Sequence, residues 1–431
     1  MKLLPYLALA LLPVPAQAKL APAEQRIVRT VDAEQLRTVA LLERLVNQNS
    51  GSLNLSGVEA VGKMMRAELE PLGFTIRWVP MADVARAGHI VATHKGNGRG
   101  KRMLLIGHLD TVFEPDSPFQ RFRLKDPGTA EGPGVGDDKG GMTVMVAALR
   151  AMQAAGTLDG ADIEIVLSGD EEDAGAPIAI ARRDLIAAAR RADLALDFEG
   201  LAQEDGRDMG SIARRGSASW TVTAHGKTGH SSGIFSKDVG NGAIYELARI
   251  LAAFRAELPE PNLTFNVGLV AGGATAELDR DGIRATATGK TNIIPPIAVA
   301  RGDLRALSLD QQERVMAKMR EIVGRHLAGS DAEIAFDDGA YPPMAPTDAS
   351  RALLARLNAV NRDLGLGEMG EFDPLKRGAG DIGFVAHLLP GLIGLGTAGQ
   401  GSHAPGETVD LASIRRQAKR AALLMTRLSR P

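Results

Sequence analysis

Histidines and carboxylates gather in five short polar clusters, each following an apolar run or lying in a glycine-rich stretch. "GHLDT" carries His108 and Asp110, two apart on an extended segment and so on the same side. "GVGDDKGGM" carries Asp137 and Asp138, "SGDEEDAG" carries Asp170, Glu171, Glu172 and Asp173, and "LALDFEG" carries Asp197 and Glu199. A late His403 stands in "GQGSHAPGET", where glycines leave its ring free to be aimed. A phosphate-cradling reading of the Asp137 stretch fails: Gly140 follows Lys139 where such a loop places Ser or Thr, and two carboxylates repel an anion. A cation suits it better. Taken singly, each cluster is more often a solvated turn or a helix N-terminus. Brought to one rim, the carboxylates and imidazoles would repel or stay unsatisfied without a cation. The chain has no cysteine, so any metal must be held by His, Asp and Glu. Two histidines and three carboxylates form a donor set for a pair of divalent ions such as zinc.

The order of elements supplies that rim. "KRMLLIGHLD" and "DIEIVLSGDEE" read as strands buried on both faces, with the helix "MTVMVAALRAMQAAG" between them. Strand, helix, strand with polar residues at the strand ends is the pattern of an open, mostly parallel α/β sheet, whose ligands sit beyond the carboxyl ends of its strands. Upstream, residues 31–72 carry helical spacing with Gly73 as a stop, and "TIRWVPM" and "GHIVATH" read as strands. Near Ile212 the pattern changes to half-exposed strands ("SASWTVTAHG", "LTFNVGLVAGG", "GIRATATGK") and two helices, an α+β module. Residues 213–338 are therefore read as an inserted domain that splits the first domain into 19–212 and 339–431.

At 431 residues, 45% hydrophobic and 24% charged, with a formal net charge of −2, the composition is that of a globular chain and gives no electrostatic case for nucleic acid or anionic membrane. The first residues, "MKLLPYLALALLPVPAQAKL", combine Lys2, a short apolar run and small residues at Ala16 and Ala18. That reads as a secretory signal over residues 1–18 cut after Ala18, giving a periplasmic or secreted protein that leaves the membrane once the signal is removed. A retained anchor is disfavoured by the short run and by Pro13 and Pro15.

The five clusters, in this order, resemble the co-catalytic zinc metallopeptidase family that contains glutamate carboxypeptidase, aminoacylases and succinyl-diaminopimelate desuccinylase. The family carries H-x-D, an aspartate before x-K-G-G, D-E-E, F-E and a late histidine; here these are His108-Leu109-Asp110, Asp137 before Asp138-Lys139-Gly140-Gly141, Asp170-Glu171-Glu172, Phe198-Glu199 and His403. The resemblance implies a dizinc catalytic domain with an inserted lid that also makes a homodimer through 213–338. It implies that Asp137 bridges two Zn2+ ions, that His108 and Glu199 complete one site, and that Glu172 and His403 complete the other. It makes Asp110 the residue that orients His108 and Glu171 the general base, and it implies tight backbone, with a cis peptide after Asp137. In "AHGKTGHSS", His230 matches a histidine that reaches a neighbouring subunit's site and stabilises an oxyanion. Asn292 in "TNIIPP", Arg305 in "RGDLR" and Gly380 in "KRGAGD" match substrate-contacting positions, while Arg377 is open between a charge for substrate and a structural role. Asp138 and Asp197 are read as solvated or supporting.

One departure stands out. Glutamate carboxypeptidases of this type carry an arginine just after the glycine that closes the lid's last strand, whereas "DDGAYPP" has Ala340. The implied activity is therefore hydrolysis of the amide bond to a C-terminal amino acid of short peptides or N-acyl amino acids, with glutamate specificity a weaker implication. An N-acyl amino acid deacylase is the alternative within the same chemistry. A periplasmic peptide-binding protein is a remote one, since a binder has no use for Glu171 beside Glu172.

Overall fold

The computed structural model describes residues 20–280 and 282–431; the secretory signal read over residues 1–18 lies outside them. Among the described residues no helix is long and apolar enough to cross a membrane. Three helices, Pro22–Ala33, Gln35–Asn47 and Leu55–Leu69, open the chain. The third is capped by Asn54, whose side chain accepts from the Gly57 N–H. The helical run ends at Gly73, whose φ of 88° is left-handed and favours glycine.

A six-stranded sheet follows, in the order Thr75–Met81, Arg86–His94, Ile163–Ser168, Met103–His108, Leu194–Asp197, Gly391–Ile393. The last four strands are parallel to one another, and the first two join them through antiparallel pairings. The mostly parallel expectation thus holds for the half that carries the clusters; the hairpin-linked strands at the other edge make the sheet mixed. Met103–His108 is buried throughout, as its unbroken apolar run requires. From it the chain crosses to Ile163–Ser168 on one side and then to Leu194–Asp197 on the other. This is a topological switch point, which opens a crevice at the carboxyl ends of the strands. Register places His108 beside Ser168 and Ile106 beside Asp197, so His108, the Asp170–Asp173 cluster and Glu199 emerge at one edge.

Several elements were not read from the sequence, and two of them bear on the site. The last helix, Leu411–Leu428, packs against Lys139–Ala154, which is buried almost end to end. A small antiparallel sheet in the order Gly399–Gln400, Thr408–Asp410, Thr129–Glu131, Arg123–Asp126 sets the loop that carries His403 beside the segment that leads into Asp137.

Within 213–338 a second, wholly antiparallel sheet runs Thr264–Gly273, Ile297–Arg305, Ala218–Gly226, Ser330–Phe336. Ala218, Trp220, Val222 and Ala224 alternate inward against helices Gly242–Glu257 and Leu309–Val323. Trp220 meets Phe254 edge to face at 5.6 Å in a core separate from those of the large sheet. The two chain crossings between the sheets lie side by side, bridged at Arg214–Met344 and Ser217–Tyr341.

Candidate metal centre

Asp137 stands between two imidazoles. Its Oδ1 is 3.0 Å from His108 Nε2 and its Oδ2 is 3.2 Å from His403 Nε2. Glu172 Oε2 lies 3.1 Å from the same His403 nitrogen. Ligand atoms of His108, Asp137 and Glu172 all lie within 4.8 Å of one another, close enough to share an ion.

His108 and the loops that carry Glu172 and Asp137 are held by buried carboxylates. His108 Nδ1 faces the Asp110 carbonyl at 3.1 Å and an Asp110 carboxylate oxygen at 3.4 Å, which turns Nε2 toward Asp137. The Asp110 carboxylate also accepts the backbone N–H groups of Glu171 and Glu172, both at 3.0 Å, and the Ser52 hydroxyl at 2.6 Å. One residue therefore orients the histidine and fixes the loop that carries the Glu171–Glu172 pair. Glu407 does the equivalent for Asp137: it accepts from the N–H groups of Gly134, Gly136 and Asp137 at 3.0, 2.7 and 3.0 Å. Glycines suit this loop because Gly134 has a φ of 69° and because a Cβ on Gly141 would fall 2.1 Å from Asp138 Oδ1. The Asp137–Asp138 peptide is cis. Lys139, the odd cation of the stretch, is buried and donates to the Gln48 carbonyl at 2.9 Å.

Glu199 pairs with Arg214 Nη1 at 2.6 Å and, with Asp137, lines one cavity. Gly380 packs against both partners, since a Cβ there would fall 2.6 Å from Glu199 Oε1 and 2.2 Å from Arg214 Nη1. Asp138 and Asp197 are not solvated: they are 0% and 1% exposed, and each has a carboxylate oxygen without a hydrogen-bond partner. Asp138 lies in the buried turn that opens the helix Lys139–Ala154 and Asp197 at the buried end of its strand, which a reading of polar residues as solvent-facing overlooks.

The protonation pattern is that of a dry rim with surplus negative charge. Burial pushes Glu171 well above the usual carboxylate range, and the charges of Glu199, Asp381 and Glu172 add to this against the pull of His108. Burial likewise raises Asp138 strongly, and burial with the Glu199 charge raises Asp197 to about 7. Hydrogen bonds with Asp137 and Glu172 raise His403 to about 11. Burial lowers His108, but its contacts with Asp110 and Asp137 outweigh it and hold the ring well above 6.5. Crowded carboxylates of this kind call for cations, and the unpartnered oxygens of Asp138 and Asp197 point the same way. The donor set fits divalent ions.

The remaining residues singled out in the sequence lie on the inserted domain. His230 is exposed and sits in a two-residue ribbon, Gly229–His230 against Ile293–Ile294, with its Nδ1 2.8 Å from the Ser232 hydroxyl. Asn292 adjoins it, its carbonyl accepting from the Ser231 N–H at 3.0 Å. Among the described residues neither is hydrogen-bonded to the cluster. Arg305 pairs with Asp303 at 2.8 Å on the antiparallel sheet. Residues not singled out complete the site: Glu407, Arg214, and a buried set beneath Glu171. There Arg182 reaches Asp170 and Asp381 at 2.6 Å and the Tyr341 hydroxyl at 2.7 Å, and that hydroxyl donates to the Glu171 carbonyl at 2.6 Å.

The geometry has counterparts among known proteins. Carboxypeptidase G2 of Pseudomonas sp. (strain RS-16) is 29% identical over 399 residues, covering 91% of this chain and 89% of that one. A tripeptidase from Staphylococcus aureus shares the fold with a TM-score of 0.71 at 19% identity, over 92% of this chain and 99% of that one. A Bacillus subtilis protein described as a dinuclear metal-binding peptidase of the M20 family does so with a TM-score of 0.64 at 16% identity, over 92% and 99%. Residues 104–427 match peptidase family M20/M25/M40, and with most of its length so matched the chain belongs to that family, whose members are hydrolases acting on amide bonds.

Proposed function

We propose that the protein is an exported, two-zinc enzyme that releases the C-terminal amino acid of short peptides or N-acyl amino acids. The observation that carries this reading is Asp137, whose two oxygens each face a different histidine. His108, Asp137 and Glu199 would hold one ion, and Asp137, Glu172 and His403 the other. Bound there, the ions supply Lewis acidity and make water a nucleophile near neutral pH. Glu171 takes a proton from the attacking water and passes it to the departing amine. Its backbone is fixed at both ends for this, through its N–H on Asp110 and its carbonyl on Tyr341.

His230 stabilises the oxyanion from a second subunit, with Asn292 beside it on the ribbon. A homodimer is supported by the edge strand Thr264–Gly273, which among the described residues of its sheet pairs on one side only and on which Val267 and Val270 are 37% and 54% exposed, and by Ile244 and Tyr245 on the adjoining helix. Export rests on residues 1–18 of the sequence alone.

Amino acid release from a panel of dipeptides and N-acyl amino acids, with protein stripped by chelator and reloaded with zinc, tests the reading. Release restored by metal is expected. Activity confined to N-acetyl amino acids would make the protein a deacylase instead, and tight peptide binding with no release would make it a binding protein.

A further inference from the structure

A cavity of about 170 Å³ opens beside the candidate metal ligands, lined by Asp137, Glu199, Gly200, Arg377, Thr397 and Ser402 among others. Two of its lining side chains hold buried polar atoms with no hydrogen-bond partner, Arg377 Nε and Thr397 Oγ1. Unsatisfied buried donors are rare and call for an explanation. Arg377 is anchored at one point only, Nη2 donating to the Gly200 carbonyl at 2.7 Å, which fixes the guanidinium relative to Glu199. Among the described residues no carboxylate lies within ion-pair distance of it, in contrast to Arg214, which pairs with Glu199, and Arg182, which pairs with Asp170 and Asp381.

We propose that Arg377, with the Thr397 hydroxyl, is the subsite for the free α-carboxylate of the amino acid released from a dipeptide or N-acyl amino acid, a specificity-determining role that rests on the amide-hydrolase reading. A guanidinium and a hydroxyl are donors that match a planar carboxylate, and both side chains line the one cavity. Asp137 and Glu199 share the cavity, so an anion is accepted only when their charge is neutralised, and carboxylate binding is expected to require the loaded metal centre.

The test compares hydrolysis of an N-acyl amino acid with that of its C-terminal carboxamide, by the zinc-loaded full chain and by R377Q and R377K. A charge-assisted contact of this kind is worth roughly 10- to 150-fold. Wild type should prefer the acid by about that factor, mainly through KM, and in R377Q the acid-to-amide ratio should fall toward one. R377K should keep part of it, since an ammonium retains the charge without the fork, and it serves as the variant if R377Q does not fold. An unchanged acid-to-amide ratio in the folded variants overturns the proposal. Calorimetric titration of L-alanine and L-glutamate into the same proteins separates the two readings. Binding by zinc-loaded wild type that is lost in R377Q upholds the subsite even if no substrate is cleaved, a result that would count against the hydrolase reading only. Equal binding by both, or none by wild type, overturns the subsite.

Discussion

On the rim of the large sheet, His108 and Asp110 are 1% and 0% exposed, and each is fixed by neighbours from other segments of the chain. On the ribbon of the inserted domain, His230 is exposed, and among the described residues its ring is hydrogen-bonded only to Ser232, two residues away. The rim is over-determined: Asp110 serves a histidine and a loop, Glu407 three backbone amides, Arg182 two carboxylates. Such a network resists movement, as a constellation that must hold reacting groups within fractions of an ångström requires. The ribbon has the opposite build, short and open, suited to a group that completes its environment against another surface. The two regions should therefore respond differently to substitution, with loss of activity alone on the ribbon and entangled losses of stability and metal affinity on the rim.

The largest effect is expected at the one rim residue whose side chain is assigned to chemistry rather than to holding the loop. Glu171→Gln should lower kcat by about 10²- to 10⁴-fold, with Tm and zinc uptake unchanged. Full activity in the variant, measured on the best substrate of the panel, would remove Glu171 as the base. His230→Ala should cost about 10²- to 10³-fold in kcat with an unaltered unfolding curve, since the side chain is exposed. Mixing the two inactive variants sharpens the comparison. If His230 works across a dimer, half of the sites in each mixed dimer are intact, and reassociated protein should recover up to about a quarter of wild-type activity. No recovery would place His230 in its own subunit's site or outside the reaction.

Glu407→Gln probes the rim's over-determination. It removes the charge and turns one acceptor into a donor facing the N–H groups of Gly134 or of Gly136 and Asp137, so about 1–3 kcal/mol of stability should be lost. Zinc affinity should fall with it, because Asp137 rides on that loop. Denaturant melts of the metal-free protein, paired with zinc titration, separate the two losses; loss of affinity without loss of stability would show that the loop tolerates the change and that Glu407 acts on the metal through charge.

What the sequence disclosed and what it hid divide along the same line. Met103–His108 and Ile163–Ser168 were legible because a strand buried on both faces is an unbroken apolar run, and the polar residues at its end stand out against it. Asp137 was legible because two carboxylates among glycines fit no bland pattern. Glu407 was not, since it lies four residues past His403 in a hairpin whose strands span two and three residues, too short for any periodicity. The last helix was legible in principle, since its leucines and alanines fall on one face with Gln417 and Arg420 buried among them. Arg214 and Tyr341 sit in connecting segments, where spacing carries no information and only the tertiary fold shows what each faces.

The smallest expected effect falls where the two regions meet. Tyr341 lies on the chain crossing that returns from the inserted domain, paired with Ser217, and its hydroxyl joins Arg182 to the Glu171 carbonyl. Burial raises the phenol above its ordinary value of 10, and the charges of Asp381 and Glu171 add to this against Arg182, so it stays protonated and donates throughout the working pH range. Tyr341→Phe deletes one hydrogen bond on each side, but Arg182 keeps its bonds to Asp170 and Asp381. The stability cost should be about 1 kcal/mol. If the crossing also transmits the placement of the inserted domain to the base, kcat should fall several-fold with KM nearly constant, and the acid limb of the kcat profile should shift as the Glu171 backbone relaxes. A drop in Tm with kcat and the pH profile unmoved would make Tyr341 a brace, and the rim would then hold its base without help from the inserted domain.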